Sequence, residues 1–219
     1  VTTFHSTSLL AGIQTLAGKN ITLSVDNGNV LPDLQEVIHK ATYSSVNLDG
    51  ERIPGLKMDF FANKIFEGDP VHTEFATTID FEWKEEGPAN LPKDRFSVRL
   101  TGEIEVEDSG DYLFMSRADD GIRVYVDQEM VISDWGDHAP RIQSARKWLE
   151  KGKKYPVRID YFENTSGATL QFGWGPMVDI ANSEAVKLAR QADIVIFSGG
   201  FNNESESEGS DRSFSLPGL

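Results

Sequence analysis

Apolar and polar positions change rhythm twice along the chain. Between Ser8 and Gly18, residues Leu9, Leu10, Ile13, Leu16 and Ala17 fall at helical spacing, and Gly18 supplies a C-terminal stop. Ile21-Thr-Leu-Ser-Val25 then reads as a short β-branched strand, and Leu34–Ala41 as a second, shorter helix after Pro32. From about Tyr43 to Pro176 the period drops to two. Alternating runs recur at Leu56–Phe61, Thr78–Trp83, Arg95–Val106, Gly110–Ser116, Ile122–Ile132, Tyr155–Phe162 and Ala168–Trp174. Within the third of these, Phe96, Val98 and Leu100 face one way and polar residues the other. Short strands between Gly, Pro and Asp turns predict a β-sandwich or barrel. Beyond it, Ser183 caps a helix running through Glu184–Ala192, Ile194-Val-Ile-Phe197 is a continuous apolar strand, and Gly199-Gly200 opens a loop.

Helix, apolar strand and Gly-rich loop in that order are the grammar of a parallel α/β sheet. The expected architecture is therefore an all-β domain inserted into a partial α/β domain. Its boundaries fall at 1–45 and 178–219 for the α/β parts and 46–177 for the β domain. Neither flank offers enough elements to bury a core alone, so the flanks need each other and further chain besides.

Charge and composition narrow the function classes. The net charge of -14 over 219 residues argues against nucleic acid or an anionic membrane as a partner, because both need a basic footprint. The same acidity suits neutral substrates such as sugars and leaves carboxylates free for a divalent cation. Cysteine is absent, which removes disulfides, thiolate nucleophiles and Cys-ligated zinc. No apolar run approaches the roughly 18 residues of a membrane helix. No basic segment leads into an apolar stretch, so a secretion leader is not expected within the sequence. The compartment stays open, with a periplasmic or secreted setting favoured over the cytoplasm.

Chemistry concentrates in a few places. In Ser116-Arg-Ala-Asp119-Asp120-Gly121, paired aspartates before a glycine can present several hard oxygens, which suits calcium. The same residues also suit a tight turn whose Asp side chains accept from nearby backbone amides. Beyond Gly199-Gly200, Glu204, Glu206 and Glu208 recur at spacing two, followed by Asp211 and Arg212. Crowded carboxylates repel one another and raise the pKa of at least one, which fits a general acid. Read as an anonymous run, the segment is a solvated acidic loop; its place after an apolar strand and a Gly pair fits a site loop. Trp83, Trp135, Trp148 and Trp174 could stack on sugar rings, and Trp135 adjoins the mixed loop Gly136-Asp-His138-Ala-Pro140. The four histidines lack metal-ligand spacing, and neither a Ser-His-Asp arrangement nor a P-loop is present.

The run Ala118-Asp-Asp-Gly-Ile-Arg-Val-Tyr-Val-Asp127, then Asp134-Trp135, then Leu149-Glu-Lys-Gly-Lys-Lys-Tyr155 through Tyr161, and the closing Leu170-Gln-Phe-Gly-Trp174 resemble a PA14 domain. The resemblance covers about Gly55 to Pro176. It implies a β-sandwich or barrel attached to carbohydrate-active proteins. In its glycan-binding adhesin members, a cis-linked aspartate pair holds a calcium that contacts sugar hydroxyls, which puts Asp119 and Asp120 in that role.

The flanks resemble the second domain of family 3 glycoside hydrolases. The matching stretches are Ser8-Leu-Leu-Ala-Gly-Ile, Glu184 through Phe197, Glu208-Gly-Ser-Asp-Arg212 and Leu216-Pro-Gly218. That resemblance implies a retaining β-glucosidase-like exo-glycosidase that needs no cofactor for catalysis. The chain would supply the general acid/base, with Glu208 favoured over Glu204 and Glu206, and Asp211 and Arg212 would hold the loop. The nucleophilic aspartate would come from a (β/α)8 barrel, so the chain alone is expected to be inactive. The PA14 insert would shape access for an oligosaccharide or β-glucoside, with Trp135, His138, Asp119 and Asp120 nearest the sugar. A second reading is a calcium-dependent lectin or adhesin module without catalysis.

Overall fold

Each of the seven alternating runs carries strand structure, and further strands join them. The computed structural model describes residues 9–26, 32–47, 49–89, 91–177 and 184–197. One compact unit includes Pro32–Met177; another is built from Val1–Leu31 and Val178–Ser198.

In the first unit, helix α2 (Leu34–Lys40) precedes twelve strands. These are β1 (Ser44–Val46), β2 (Arg52–Pro54), β3 (Leu56–Phe61), β4 (His72–Ala76), β5 (Ile79–Lys84) and β6 (Phe96–Glu105), then β7 (Gly110–Ala118), β8 (Gly121–Val126), β9 (Glu129–Asp134), β10 (Arg141–Leu149), β11 (Lys154–Glu163) and β12 (Ala168–Pro176). They form an eight-stranded sheet along the path β2-β1-β6-β11-β8-β9, with β3 joining β6 and β4, and a four-stranded sheet ordered β10-β7-β12-β5. Alternation sends Val98, Leu100, Ile159 and Tyr161 from one sheet and Phe114 and Phe172 from the other into a shared core. At roughly 1.5–3 kcal/mol for each large apolar side chain buried, this layer dominates the favourable side of the fold.

The short strands β1, β2 and β4 and the longer β10 were not evident in the sequence, and β8 and β9 were read as one run. The expected run Ile122–Ile132 is split by a two-residue turn at Asp127 and Gln128, both at positive φ (54° and 67°). Such a turn usually announces itself with glycine, and here it does not. Strand β10 is mostly polar and has no alternating apolar signal.

Helix α2 starts at Asp33, whose carboxylate accepts from the amides of Gln35 (2.8 Å) and Glu36 (3.3 Å). Its buried face, Leu34, Val37 and Ile38, packs on β12. Gly173 makes the contact possible, since a Cβ there would stand 2.6 Å from the Ile38 amide nitrogen. The sequence reading placed α2 with the α/β flank; the structure packs it on the β unit, which begins at Pro32.

The second unit holds α1 (Leu9–Ala17), a 3-10 turn at Gly18–Asn20 and α3 (Glu184–Gln191). The expected helices form, but neither buries a residue. The expected strands Ile21–Val25 and Ile194–Phe197 are not strands, and every strand pair among the described residues is antiparallel. A strand exists only through a ladder to a neighbour, and these segments lack one. Their apolar side chains lie open, with Ile21 59%, Ile194 80% and Phe197 91% exposed. Glu204, Glu206, Glu208, Asp211 and Arg212 lie outside the described residues.

Candidate site at the loop end of the sandwich

Strand directions gather several loops at one end of the β unit. They are the β7–β8 turn at Asp119-Asp120, the Trp135–Pro140 loop, the Asn164–Gly167 loop, the loop after β3 and the segment before β6. Polar contacts bind them together. Asn164 donates its side-chain amide to Asp137 (2.6 Å) and accepts from Lys64 (2.8 Å). The Ser166 amide donates to Asp94 (3.2 Å), and the Ser97 hydroxyl donates to the Asn63 carbonyl (2.7 Å).

Asp120 is buried and sits at the centre, at φ 60°. Its amide donates to the His138 carbonyl (3.0 Å), and its Oδ1 accepts from the His138 amide (3.0 Å). Its Oδ2 accepts from the Asn164 amide (2.7 Å). Gly121 follows because Phe162 lies where a Cβ would go, 2.1 Å from its nearest ring carbon. The Asp119 amide is tied to the Thr169 carbonyl (3.0 Å), and no described hydrogen bond engages its carboxylate from another loop. Partial burial first, then the charge of Asp120, push the Asp119 carboxyl up from its ordinary value.

Behind the aspartates lies Glu163, with no exposed surface. Its Oε2 accepts from the Tyr161 hydroxyl (3.1 Å), while Oε1 has no protein donor. Burial, followed by the charge of Asp120, pushes its pKa up to about 8. The carboxyl is therefore mostly protonated at neutral pH, a state in which it can donate toward Asp120.

The Trp135 loop is anchored at its other side by Asp134. Arg141 grips that carboxylate through two nitrogens, and Gln143 donates at 3.0 Å. Burial raises the Asp134 pKa, but the Arg141 hydrogen bonds and the nearby His138 outweigh it and hold the carboxyl below its usual range. His138 Nε2 lies 3.2 Å from Asp134 Oδ2 without hydrogen-bond geometry. Its Nδ1 lies 3.0 Å from the Ala139 carbonyl, which can only accept, so that nitrogen carries the proton.

Trp135 is packed rather than open. The Arg123 guanidinium lies 4.3 Å from its ring centre, Phe66 stacks on it at 6.3 Å, and Phe162 meets it edge-on at 4.7 Å. Trp83 packs against Phe81, Phe60 and Phe96, and Trp174 is buried. Trp148, 58% exposed, lies on β10 toward the opposite end. The structure thus brings Asp119, Asp120, Trp135 and His138 together. Sequence reasoning missed Glu163, Asn164, Asp137 and Lys64. Glu163 had a signal, since Tyr155, Val157, Ile159 and Tyr161 alternate inward and Glu163 continues that phase.

The resemblance implies a calcium here, and the residues do not fit one. Both Asp120 oxygens accept backbone amides, and among the described residues no three His, Asp or Glu side chains converge with metal-binding geometry. Calcium takes about 6–8 oxygens at 2.3–2.6 Å. What the arrangement can do is present a preorganised rim of carboxylate, amide and ammonium groups, suited to hydroxyl-rich ligands.

Known proteins place this geometry. The family model described as PA14 domain matches residues 53–185. Anti-sigma-I factor RsgI3 of Acetivibrio thermocellus is 36% identical over 97 residues, covering 44% of this chain and 15% of that protein. A β-glucosidase of Rhizobium radiobacter is 27% identical over 180 residues, covering 74% and 22%. The crystal structure of a β-glucosidase from Kluyveromyces marxianus superposes with a TM-score of 0.56 at 20% identity, covering 83% of this chain and 24% of that one. The chain spans between 15% and 26% of the length of the curated relatives it matches.

Proposed function

The chain belongs to the PA14 domain family, and from that premise we propose that it is the PA14-bearing portion of a retaining exo-acting β-glycosidase of family 3. In this reading the loop end shapes access for an oligosaccharide or β-glucoside, and the acidic segment carries the general acid/base. The observation that carries it is coverage. The family match spans residues 53–185, whereas matches to proteins named β-glucosidase take in 72–84% of the chain. Those matches take in more of the chain than the family match does, which supports the reading. The open apolar side chains of the second unit agree, because a continuous apolar run such as Ile194–Phe197 belongs between covering layers.

The chemistry assigned is a division of labour. Retaining hydrolysis needs a nucleophilic carboxylate and a protonated carboxyl about 5–5.5 Å apart. Glu208, ahead of Glu204 and Glu206, is assigned the proton donor to the leaving oxygen, and later the base that activates water. Asp211 and Arg212 hold that loop. A (β/α)8 barrel elsewhere in the protein supplies the nucleophile. A periplasmic or secreted setting fits oligosaccharide substrates.

The test compares the full-length protein with its Glu208→Gln variant on aryl β-glucosides. We expect kcat to fall by about 10²–10⁴ on poor leaving groups and much less on activated ones, which need no proton. The isolated 219-residue chain should show no turnover. Equal activity of wild type and E208Q on a poor leaving group rejects Glu208 and moves the role to Glu204 or Glu206. A second reading is a carbohydrate-binding lectin or adhesin module without catalysis, and the likeness to RsgI3, named as an anti-sigma-I factor, supports only that the protein need not be a glycosidase; a full-length protein without hydrolytic activity would select it.

A further inference from the structure

We propose that Asp120 clamps the loop end through its own carboxylate, so that the loops are set without a divalent cation. Each oxygen of the carboxylate is engaged by a backbone amide from a different loop. Oδ1 takes the His138 amide at 3.0 Å and Oδ2 takes the Asn164 amide at 2.7 Å, so one side chain pins two loops that adjoin neither each other nor Asp120 in sequence. The return bond from the Asp120 amide to the His138 carbonyl, at 3.0 Å, makes the His138 contact reciprocal. Positive φ at Asp120 turns the backbone so that its amide and its carboxylate reach the same residue.

A cation at Asp119 and Asp120 would perform one job for the fold: neutralise a buried negative charge while tying loops together. Here two backbone N–H dipoles aimed at the carboxylate do both. The neighbours add no further ligand, since Glu163 gives one oxygen to the Tyr161 hydroxyl and Asn164 is spent between Asp137 and Lys64. Asp119 alone keeps its carboxylate outside this network, far short of the oxygen count calcium takes. The inference concerns how the loops are held, and it stands whether or not they face a saccharide.

The experiment uses the 219-residue chain with calcium chloride as the probe. Thermal unfolding is measured in EDTA and in calcium at about a hundred times a typical extracellular-module Kd. Amide exchange is followed at His138 and Asn164. The wild type should unfold within about 1 °C in the two conditions, and both amides should stay protected at least about 100-fold in EDTA. Asp120→Ala should lower the midpoint and release both amides, whereas Asp119→Asn should leave them protected. If D120A does not fold, Asp120→Asn keeps a single acceptor oxygen, and one of the two amides should lose protection. A calcium-induced rise above about 3 °C that vanishes in D119N would overturn the proposal. So would free exchange of the His138 and Asn164 amides in EDTA.

Discussion

At Glu163 a carboxyl group is fully enclosed, with Tyr161 donating to one oxygen and the negative charge of Asp120 close by. In an unfolded chain such a group titrates near 4.5; in the fold it is pushed up to about 8. Between those values the unfolded state has released a proton that the folded state keeps. Stability therefore falls as pH rises through that window, the reverse of a salt-bridged carboxylate. Glu163→Gln keeps a donor toward Asp120 and removes the titration. Its unfolding midpoint should match the wild type near pH 4.5 and exceed it increasingly toward pH 8, by roughly 1–3 kcal/mol at the upper end. Denaturant melts across this range check it, and a constant difference between the two proteins rejects it. The pairing of Asp119 with Asp120 and the mixed Trp135–His138 loop could be read from adjacent residues. Glu163, Asn164 and Lys64 could not be joined to them, because their contact depends on strands far apart in sequence.

At the scale of elements, the seat of α2 on β12 is the contact with least slack. A side chain at Gly173 would meet backbone rather than a movable side chain: the Ile38 amide nitrogen and Cα and the Val37 carbonyl carbon lie 2.6–2.7 Å from its Cβ position. Gly173→Val should lift α2 off the sheet and cost about 2–4 kcal/mol, combining overpacking with lost burial of Leu34, Val37 and Ile38. Thermal unfolding of G173V measures this; a loss under about 1 kcal/mol would mean that α2 can shift at little cost. The sequence showed α2 as a helix from its period and its entry after Pro32, but not what it packs on. That information lies in a glycine whose reason is another element. Where alternation was strong, as in β6 and β11, strands were evident in advance. Where the strand is polar, as in β10, or the turn lacks glycine, as at Asp127-Gln128, local pattern carries no mark and only pairing reveals the element.

For the whole molecule, the division between units decides which piece of chain can stand alone. The sequence reading begins the β domain at 46, but that start discards Leu34, Val37, Ile38, Ala41 and Tyr43, all buried. Tyr43 also donates its hydroxyl to the Phe172 carbonyl at 3.2 Å, and Trp174 donates its indole N–H to the Thr42 carbonyl at 3.2 Å. Removing that segment uncovers the outer face of β12 and β7 and leaves both partners short of a hydrogen bond. With large apolar side chains worth roughly 1.5–3 kcal/mol each, the loss reaches several kcal/mol, comparable to the whole stability of a small domain. A fragment of residues 32–177 should therefore unfold cooperatively at a midpoint close to that of the β unit in the full chain. A fragment of residues 46–177 should melt at least about 10 °C lower or fail to fold. Helices α1 and α3 should be cut before the β unit in limited proteolysis, since neither buries a residue. Equal midpoints for the two fragments would show that α2 is an ornament of the β unit, and would return it to the flank from which the sequence first read it.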